Sequence, residues 1–226
     1  LIDIERNGRK IPGLVHAGRN GYLWLLERKA DSIGFIEAKP FVYQNVFTSL
    51  DPATGRPEYN LDAKPGLGRA GTYCPSLSGG KNWTPAAYSP KTGLLYIPAN
   101  ENYCTTMTGQ PVEYRPGQDF TGRASAQASI REGSDHIGEL QAWNVDTGER
   151  AWTTTFESHN WGPILATAGD LVFMGGTNDR KFRAFDSTSG KVLWEYPTNS
   201  GVIGVPVTFT ADGKQYVAVQ SGWGVD

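Results

Sequence analysis

Ala142-Trp143-Asn144-Val145-Asp146-Thr147-Gly148, with Trp152 just beyond it, and Ala184-Phe185-Asp186-Ser187-Thr188-Ser189-Gly190, with Trp194 beyond it, are two copies of one pattern. A small residue leads into a turn of the form Asp-x-x-Thr-Gly, and a strand carrying an aromatic residue follows. Two further copies stand upstream: Ser49-Leu50-Asp51-Pro52-Ala53-Thr54-Gly55 with Tyr59, and Ala87-Tyr88-Ser89-Pro90-Lys91-Thr92-Gly93 with Tyr96. The chemistry is that of a hairpin: Asp or Asn accepts backbone hydrogen bonds within the turn, and Gly takes the position with positive φ. Gly55, Gly93, Gly148 and Gly190 are 38, 55 and 42 residues apart, close to the spacing of four-stranded propeller blades. The long gap is expected to hold a surface insertion over 105–137, rich in Gly, Ser, Gln and Arg.

Between these turns, short β-branched and aromatic runs predict strands at 21–27, 42–49, 94–99, 139–144, 150–156, 171–174, 182–185, 192–196, 202–209 and 215–220. Four or more blades fit, all within one domain spanning 1–226. The fold class is therefore all-β, a partial β-propeller of four-stranded antiparallel blades. The pattern starts and stops in mid-repeat at Leu1 and at 222–226, so the chain is expected to be cut at both ends. With 28 glycines, 14 prolines and 7 tryptophans among 226 residues, long helices are not expected; large rings fill the space between sheets.

A net charge of -2, spread along the chain, leaves no basic stripe for nucleic acid. No apolar run approaches the roughly 20 residues of a spanning helix, and no secretory signal is visible at the first residues. Gly66-Leu67-Gly68-Arg69-Ala70-Gly71 has the glycine spacing of a dinucleotide loop but neither a strand before it nor a helix after it. His16, His136 and His159 form no ligand set.

The turn-plus-aromatic repeat resembles the tryptophan-docking motif of the quinoprotein propellers, a superfamily that includes non-catalytic assembly scaffolds as well as enzymes. Three segments narrow the resemblance to the methanol/ethanol dehydrogenases dependent on pyrroloquinoline quinone (PQQ). They are His16-Ala17-Gly18-Arg19-Asn20-Gly21, Cys74-Pro75-Ser76-Leu77-Ser78-Gly79-Gly80-Lys81-Asn82-Trp83, and His159-Asn160-Trp161-Gly162. Ser200-Gly201-Val202-Ile203-Gly204-Val205-Pro206 is similar to the same family, so the resemblance runs the length of the chain and matches the C-terminal part of a fold with eight blades.

The resemblance implies roles for individual residues. Arg19 matches the cation that reaches the quinone oxygens, where a fixed guanidinium stabilises developing negative charge. Asn82 matches an amide that hydrogen-bonds PQQ, with Trp83 beside it; a simple turn role for Asn82 stays open, as does glycosylation at Asn82-Trp83-Thr84. Trp161 matches a residue of the cofactor pocket. Arg19, Asn82 and Trp161 are expected to converge on one end of the propeller axis. Trp223, between Gly222 and Gly224, is a candidate for the wall of the substrate cavity, with blade packing as the alternative.

Cys74 and Cys104 match a disulfide of the family, two free thiols being the alternative; a disulfide places the protein in an oxidising compartment such as the bacterial periplasm. The family's catalytic Asp and its Ca or lanthanide ligands lie upstream of the segment matching Arg19, so no catalytic base or metal ligand is assigned here, and the chain alone is expected to be inactive. The whole enzyme is expected to oxidise a primary or secondary alcohol to the carbonyl compound and pass electrons to a cytochrome c, with an oligomeric full-length form left open. A cofactor-free propeller acting as a scaffold for protein assembly is the alternative function.

Overall fold

The structure, a computed structural model, describes residues 1–223; Gly224, one of the two glycines flanking Trp223, lies outside the described residues, as do Val225 and Asp226. The first sheet is a meander of β1 (Ile2–Arg6), β2 (Arg9–Ala17), β3 (Tyr22–Arg28) and β4 (Ile33–Pro40). A connecting segment follows, with the hairpin β5 (Phe47–Leu50) and β6 (Pro57–Tyr59), then β7 (Ala70–Tyr73).

The second sheet opens with β8 (Ala87–Ser89) and β9 (Leu94–Asn100). The chain then leaves it through β10 (Tyr103–Gly109) and β11 (Arg123–Ile130), which pair with each other and with β7 in the order β11-β10-β7. It returns as β12 (Gly138–Asn144) and β13 (Glu149–Phe156) to complete the order β13-β12-β9-β8. A third four-stranded sheet holds β14 (Leu165–Ala166), β15 (Leu171–Met174), β16 (Lys181–Asp186) and β17 (Val192–Pro197), and the hairpin β18 (Val207–Ala211) and β19 (Lys214–Ala218) ends the described chain. The protein is thus all-β, three antiparallel blades followed by a hairpin, with no helix among the described residues.

The blades stack through both faces of the middle one. On β9, Leu95, Ile97 and Ala99 pack with Leu23, Leu25, Phe41 and Trp143 on the side of the first sheet. The alternating residues Leu94 and Tyr96 pack with Leu140, Val172, Met174 and Phe185 on the side of the third. Both faces of β9 are covered, which is why it reads as a continuous apolar run rather than an alternating one. Gln141, fully buried on β12, is satisfied by donating from Nε2 to the Phe41 carbonyl (2.7 Å) and accepting from Trp143 Nε1 (2.7 Å), so its burial leaves no polar atom unpaired.

The repeat has a concrete packing role. Trp152 donates from Nε1 to the Ser187 carbonyl (3.1 Å) in the next blade, and its ring lies so close to Gly190 that a Cβ there would meet it at 2.4 Å. Only glycine fits under the ring, and φ of +70° at Gly190 adds a second reason. Asp186 Oδ1 holds the turn by accepting from the N–H groups of Thr188 (3.0 Å) and Ser189 (2.8 Å).

The spacing of the four turns, however, is not a blade-to-blade interval. Gly93 joins β8 to β9 and Gly148 joins β12 to β13, so the second and third copies belong to one sheet; Gly55 belongs to the β5–β6 hairpin, outside the four-stranded sheets. The reading of four or more blades gives way to three four-stranded sheets among the described residues. In the first sheet the motif is absent because Glu37, opposite Leu25, occupies the place that Trp152 holds opposite Ala142. Its carboxylate lies against Gly148 and pairs with Arg6 (3.2 Å), an ionic substitute for the indole contact. Of the segment predicted as a strand over 42–49 only the end is strand, and of 202–209 only the part from Val207 onward.

Candidate functional site

The turn after β2 presents Arg19. Asn20 Oδ1 accepts from Tyr22 N (3.2 Å) and Trp24 Nε1 (3.3 Å), and Gly21 carries φ of +86°, so Arg19 stands at a fixed tip. The loop 74–83 lies directly against this tip. Gly80 N donates to the Arg19 carbonyl (3.1 Å), and a Cβ on Gly79 would come within 2.8 Å of Arg19. The paired glycines therefore let the backbone approach. From the other direction the Arg19 guanidinium donates from Nη2 to the Leu77 carbonyl.

Asn82 closes the same loop. Its Nδ2 donates to the Ser78 carbonyl (3.0 Å) and its Oδ1 accepts from Trp83 N (2.8 Å), which leaves one N–H and one lone pair for a further partner. Trp83 points outward, 60% exposed. Lys81 Nζ donates to the Asn82 carbonyl (3.1 Å), and burial lowers its pKa.

Leu77 and Ser78, the two residues whose carbonyls Arg19 and Asn82 hold, line a cavity of about 400 Å³ together with Trp161, His159, Tyr103, Thr105 and Arg123. Trp161 is placed by its neighbours. Asn160, 1% exposed, accepts at Oδ1 from Gly162 N (2.9 Å), while Trp161 N donates to the Gly176 carbonyl (2.9 Å). The His159 imidazole stacks on the Trp161 ring at 5.9 Å and 14°, and Tyr103 meets His159 edge-on at 4.3 Å. Trp161 thus lines the cavity, whereas Arg19 and Asn82 are not among its lining residues and join it through the Leu77 and Ser78 carbonyls they hold. Trp223 lies elsewhere: its ring covers Gly201, and its N–H donates to Ser200 Oγ (3.2 Å).

Cys74 and Cys104 form a disulfide with a Cα separation of 4.3 Å. It extends the β7–β10 ladder by one step beyond the Tyr73 and Thr105 pair. Thr105 Oγ1 in turn accepts from Leu77 N (2.9 Å), so the crosslink anchors the cavity loop.

Charge at the site is one-sided. Among the described residues no ion pair includes Arg19, Lys81 or Arg123. Arg123 lines the aromatic cavity, and Arg19 and Lys81 flank the loop 76–82 that forms part of its wall; cations without carboxylate partners near an aromatic surface and an amide with spare capacity suit a flat ligand rich in carbonyl and carboxylate oxygens. Among the described residues no group of three or more His, Cys, Asp or Glu side chains is placed to hold a metal ion. Arg123 and Tyr103 are not singled out from sequence, and His159 is named there only within the segment that leads to Trp161 and as part of no ligand set. Arg123 sits in the segment read as a surface insertion, and only the β10–β11 pairing brings it to the cavity.

Burial lowers the pKa of His159 below its ordinary value of 6.5. As pH falls below about 6.5 the unfolded chain takes up a proton that the folded imidazole resists, so stability is expected to decline from there down to the folded-state pKa. His16, whose pKa is lowered by burial and by the Lys81 charge, acts in the same sense. At His136 burial is outweighed by hydrogen bonds to Asp135 and Glu139, its pKa is raised, and it acts in the opposite sense. Measuring Tm between pH 5 and 7 for the protein and for His159→Phe isolates the contribution of this imidazole: the variant is expected to show the shallower acid decline. Equal slopes would remove His159 as a contributor.

The glucose/ethanol/alcohol dehydrogenase β-propeller domain is the family model that matches, over residues 153–217. The chain is 39% identical, over 99% of its length, to the dehydrogenase subunit of a quinone-type alcohol dehydrogenase from Gluconacetobacter polyoxogenes, of which it covers 31%. It is 40% identical, again over 99% of its length, to a lanthanide-dependent methanol dehydrogenase from Methylacidiphilum fumariolicum, covering 36% of that protein. A europium-containing methanol dehydrogenase superposes with a TM-score of 0.90 at 37% identity, over 98% of this chain and 38% of the other. The chain spans about a third of the length of these relatives.

Proposed function

The chain belongs to the family of PQQ-dependent quinoprotein alcohol dehydrogenases, and from that premise we propose that it forms part of the cofactor-holding wall of an enzyme that oxidises a primary or secondary alcohol to the carbonyl compound. The observation that carries the proposal is the loop 76–82, where the holds of Arg19 and Asn82 and the cavity beside Trp161 meet. When bound, PQQ supplies the quinone that accepts the reducing equivalents of the alcohol. Arg19 gives a fixed positive charge for the quinone oxygens, the free N–H of Asn82 a neutral donor, and the Trp161 ring a flat apolar surface. Trp83 flanks Asn82 at the outer rim. Trp223, whose ring covers Gly201 away from the Trp161 cavity, is kept as a candidate for the wall of the substrate cavity in the full-length enzyme.

The residues present fit the cofactor on the strength of their unpaired cations. A Ca or lanthanide ion and the catalytic base are assigned to parts of the full-length protein other than this chain. Cytochrome c as electron acceptor and a periplasmic location complete the proposal, the latter supported by the disulfide. A scaffold role explains the docked Trp152 equally well but gives no reason for Arg123 to line an aromatic cavity without a carboxylate partner.

Dye-linked assays test the reading. The full-length protein containing this chain, supplied with PQQ and either Ca or a lanthanide, is expected to turn over alcohols, and the 226-residue chain alone is expected to show none. Metal-dependent ethanol oxidation by the isolated chain would mean that the reactive site lies within it, against the assignment. A full-length protein that neither binds PQQ nor oxidises alcohol would leave the scaffold reading.

A further inference from the structure

The start of β12, packed against the segment that carries Trp161, holds a charged cluster with no part in the cofactor wall or the disulfide. The His136 imidazole stands between two carboxylates, 2.7 Å from Asp135 and 2.9 Å from Glu139. Asp135 is open to solvent, whereas Glu139 is 4% exposed. The other Glu139 oxygen accepts from Gln141 Nε2 and has Arg150 at 3.9 Å. A second carboxylate, the half-buried Glu101, feels the Glu139 and Arg150 charges and accepts from the N–H groups of Tyr43 (2.9 Å) and Asn102 (3.1 Å). Arg131, on the segment leading to His136, is turned elsewhere: it lies over the Tyr43 ring at 4.1 Å and donates to Asn102 Oδ1 (2.9 Å).

Charge decides what this cluster can do. With His136 protonated, two cations, His136 and Arg150, face Glu139 and Glu101. Without that proton Arg150 faces both carboxylates alone, and one imidazole nitrogen turns a lone pair toward a carboxylate oxygen. Burial works against the imidazolium, yet hydrogen bonds to Asp135 and Glu139 outweigh it and hold the pKa of His136 above its ordinary value of 6.5. Burial also raises the pKa of Glu101, and the Glu139 charge adds to it. The stabilisation from His136 is therefore fully present below about pH 6.5 and is lost as pH rises through the folded-state pKa.

Backbone contacts join the cluster to the cavity wall. The Glu139 carbonyl accepts from Asn160 Nδ2 (2.7 Å), and Gly138 lies so close to the next segment that a Cβ there would overlap the Ser158 carbonyl. On the other side Gln141 and Arg150 both donate to the Phe41 carbonyl (2.7 and 2.8 Å). We infer that His136 is a proton-operated brace. Protonated, it fixes Glu139 and, through the start of β12, the segment of Asn160 and Trp161; deprotonated, it leaves an unbalanced negative charge that loosens the same segment. The device belongs to the wall itself and holds whatever ligand the wall holds, so it goes beyond the cofactor reading.

Amide hydrogen exchange of the full-length protein tests the brace, read on peptides covering 158–162 and 41–43 and corrected for the intrinsic pH dependence of exchange. Between about pH 6 and about pH 8.5 protection of these segments is expected to fall about tenfold, the scale of one hydrogen bond to a charged group. His136→Gln, neutral at both pH values, is expected to show the lower protection throughout, with β16 protected as in the parent. Glu139→Gln removes the buried charge that requires the proton and is expected to abolish the fall. Protection of the parent that does not change with pH, or a His136→Gln variant that follows the parent at both pH values, overturns the inference. PQQ release from the same proteins is expected to follow the exchange, about tenfold faster at the higher pH in the parent and equally fast at both in His136→Gln. If none of them binds PQQ, the cofactor reading falls and the exchange result decides the brace by itself.

Discussion

Arg19→Ala in the full-length enzyme is expected to remove about 2 to 4 kcal/mol of transition-state stabilisation, a fall of roughly 30- to 1,000-fold in kcat/KM for any alcohol. The physical reason is preorganisation. The backbone of Arg19 sits at the tip of a turn fixed by Asn20 and Gly21, its carbonyl is held by Gly80 and its guanidinium by the Leu77 carbonyl, so little reorganisation is required when negative charge develops on a nearby oxygen. Arg19 also braces the loop by donating to the Leu77 carbonyl, and this second role separates experimentally. Arg19→Lys keeps the positive charge but loses the planar fork that spans two acceptors, so it is expected to retain part of the rate. Loss of the Leu77 tether alone would lower Tm and weaken PQQ binding, read as quenching of tryptophan fluorescence, without a matching fall in kcat. A full kcat/KM in Arg19→Ala would end the quinone-oxygen assignment.

Much of this arrangement is legible in the sequence, but unevenly. The turn chemistry of Asp186 and the docking of Trp152 on Gly190 follow from local patterns, because hairpin turns and close ring-to-backbone approaches each demand a particular residue. The blade count does not follow, because the same turn chemistry serves the β8–β9 hairpin and the β12–β13 hairpin of one sheet. The first blade, though its strand over 21–27 is legible, lacks the docking pattern: its docking position is Glu37, which replaces a ring contact by an ion pair with Arg6. A pattern built on aromatic spacing is blind to such a substitution.

The site shows the same division. Arg19, Asn82 and Trp161 are readable one by one, each in its own motif. What joins them is tertiary: Gly79 and Gly80 allow one loop to touch the Arg19 turn, and the carbonyls of Leu77 and Ser78 carry that contact to the cavity wall. Arg123 is unreadable for a different reason. Its segment has a polar, glycine-containing composition that reads as a surface excursion, and only its register against β10 turns the neighbouring Ala126 and Ala128 toward the cavity. Composition reports how a segment meets solvent on average; it does not report which single residue faces inward.

Replacing both Cys74 and Cys104 by serine is expected to cost about 3 to 4 kcal/mol of stability, the loop-closure term for a crosslink spanning 30 residues. Both sulfurs are buried, and the bridge continues the β7–β10 ladder at the point where the cavity loop leaves it. Removing it frees that loop to move away from Thr105, so the Leu77 N–H to Thr105 Oγ1 bond and the wall beside Trp161 are expected to loosen together. Denaturant unfolding of the protein with and without dithiothreitol measures the stability loss, and the double variant, which has no bridge to reduce, is expected to be indifferent to the reductant. Peptide mapping without reduction is expected to recover the linked peptides. Free alkylation of both thiols without reductant would show that the bridge is absent in solution and would withdraw the support it lends to an oxidising compartment. A bridge that forms but can be removed without loss of stability would shift the anchoring of the loop onto the β7–β10 ladder, with Leu77 held by its bonds to Thr105 and Arg19.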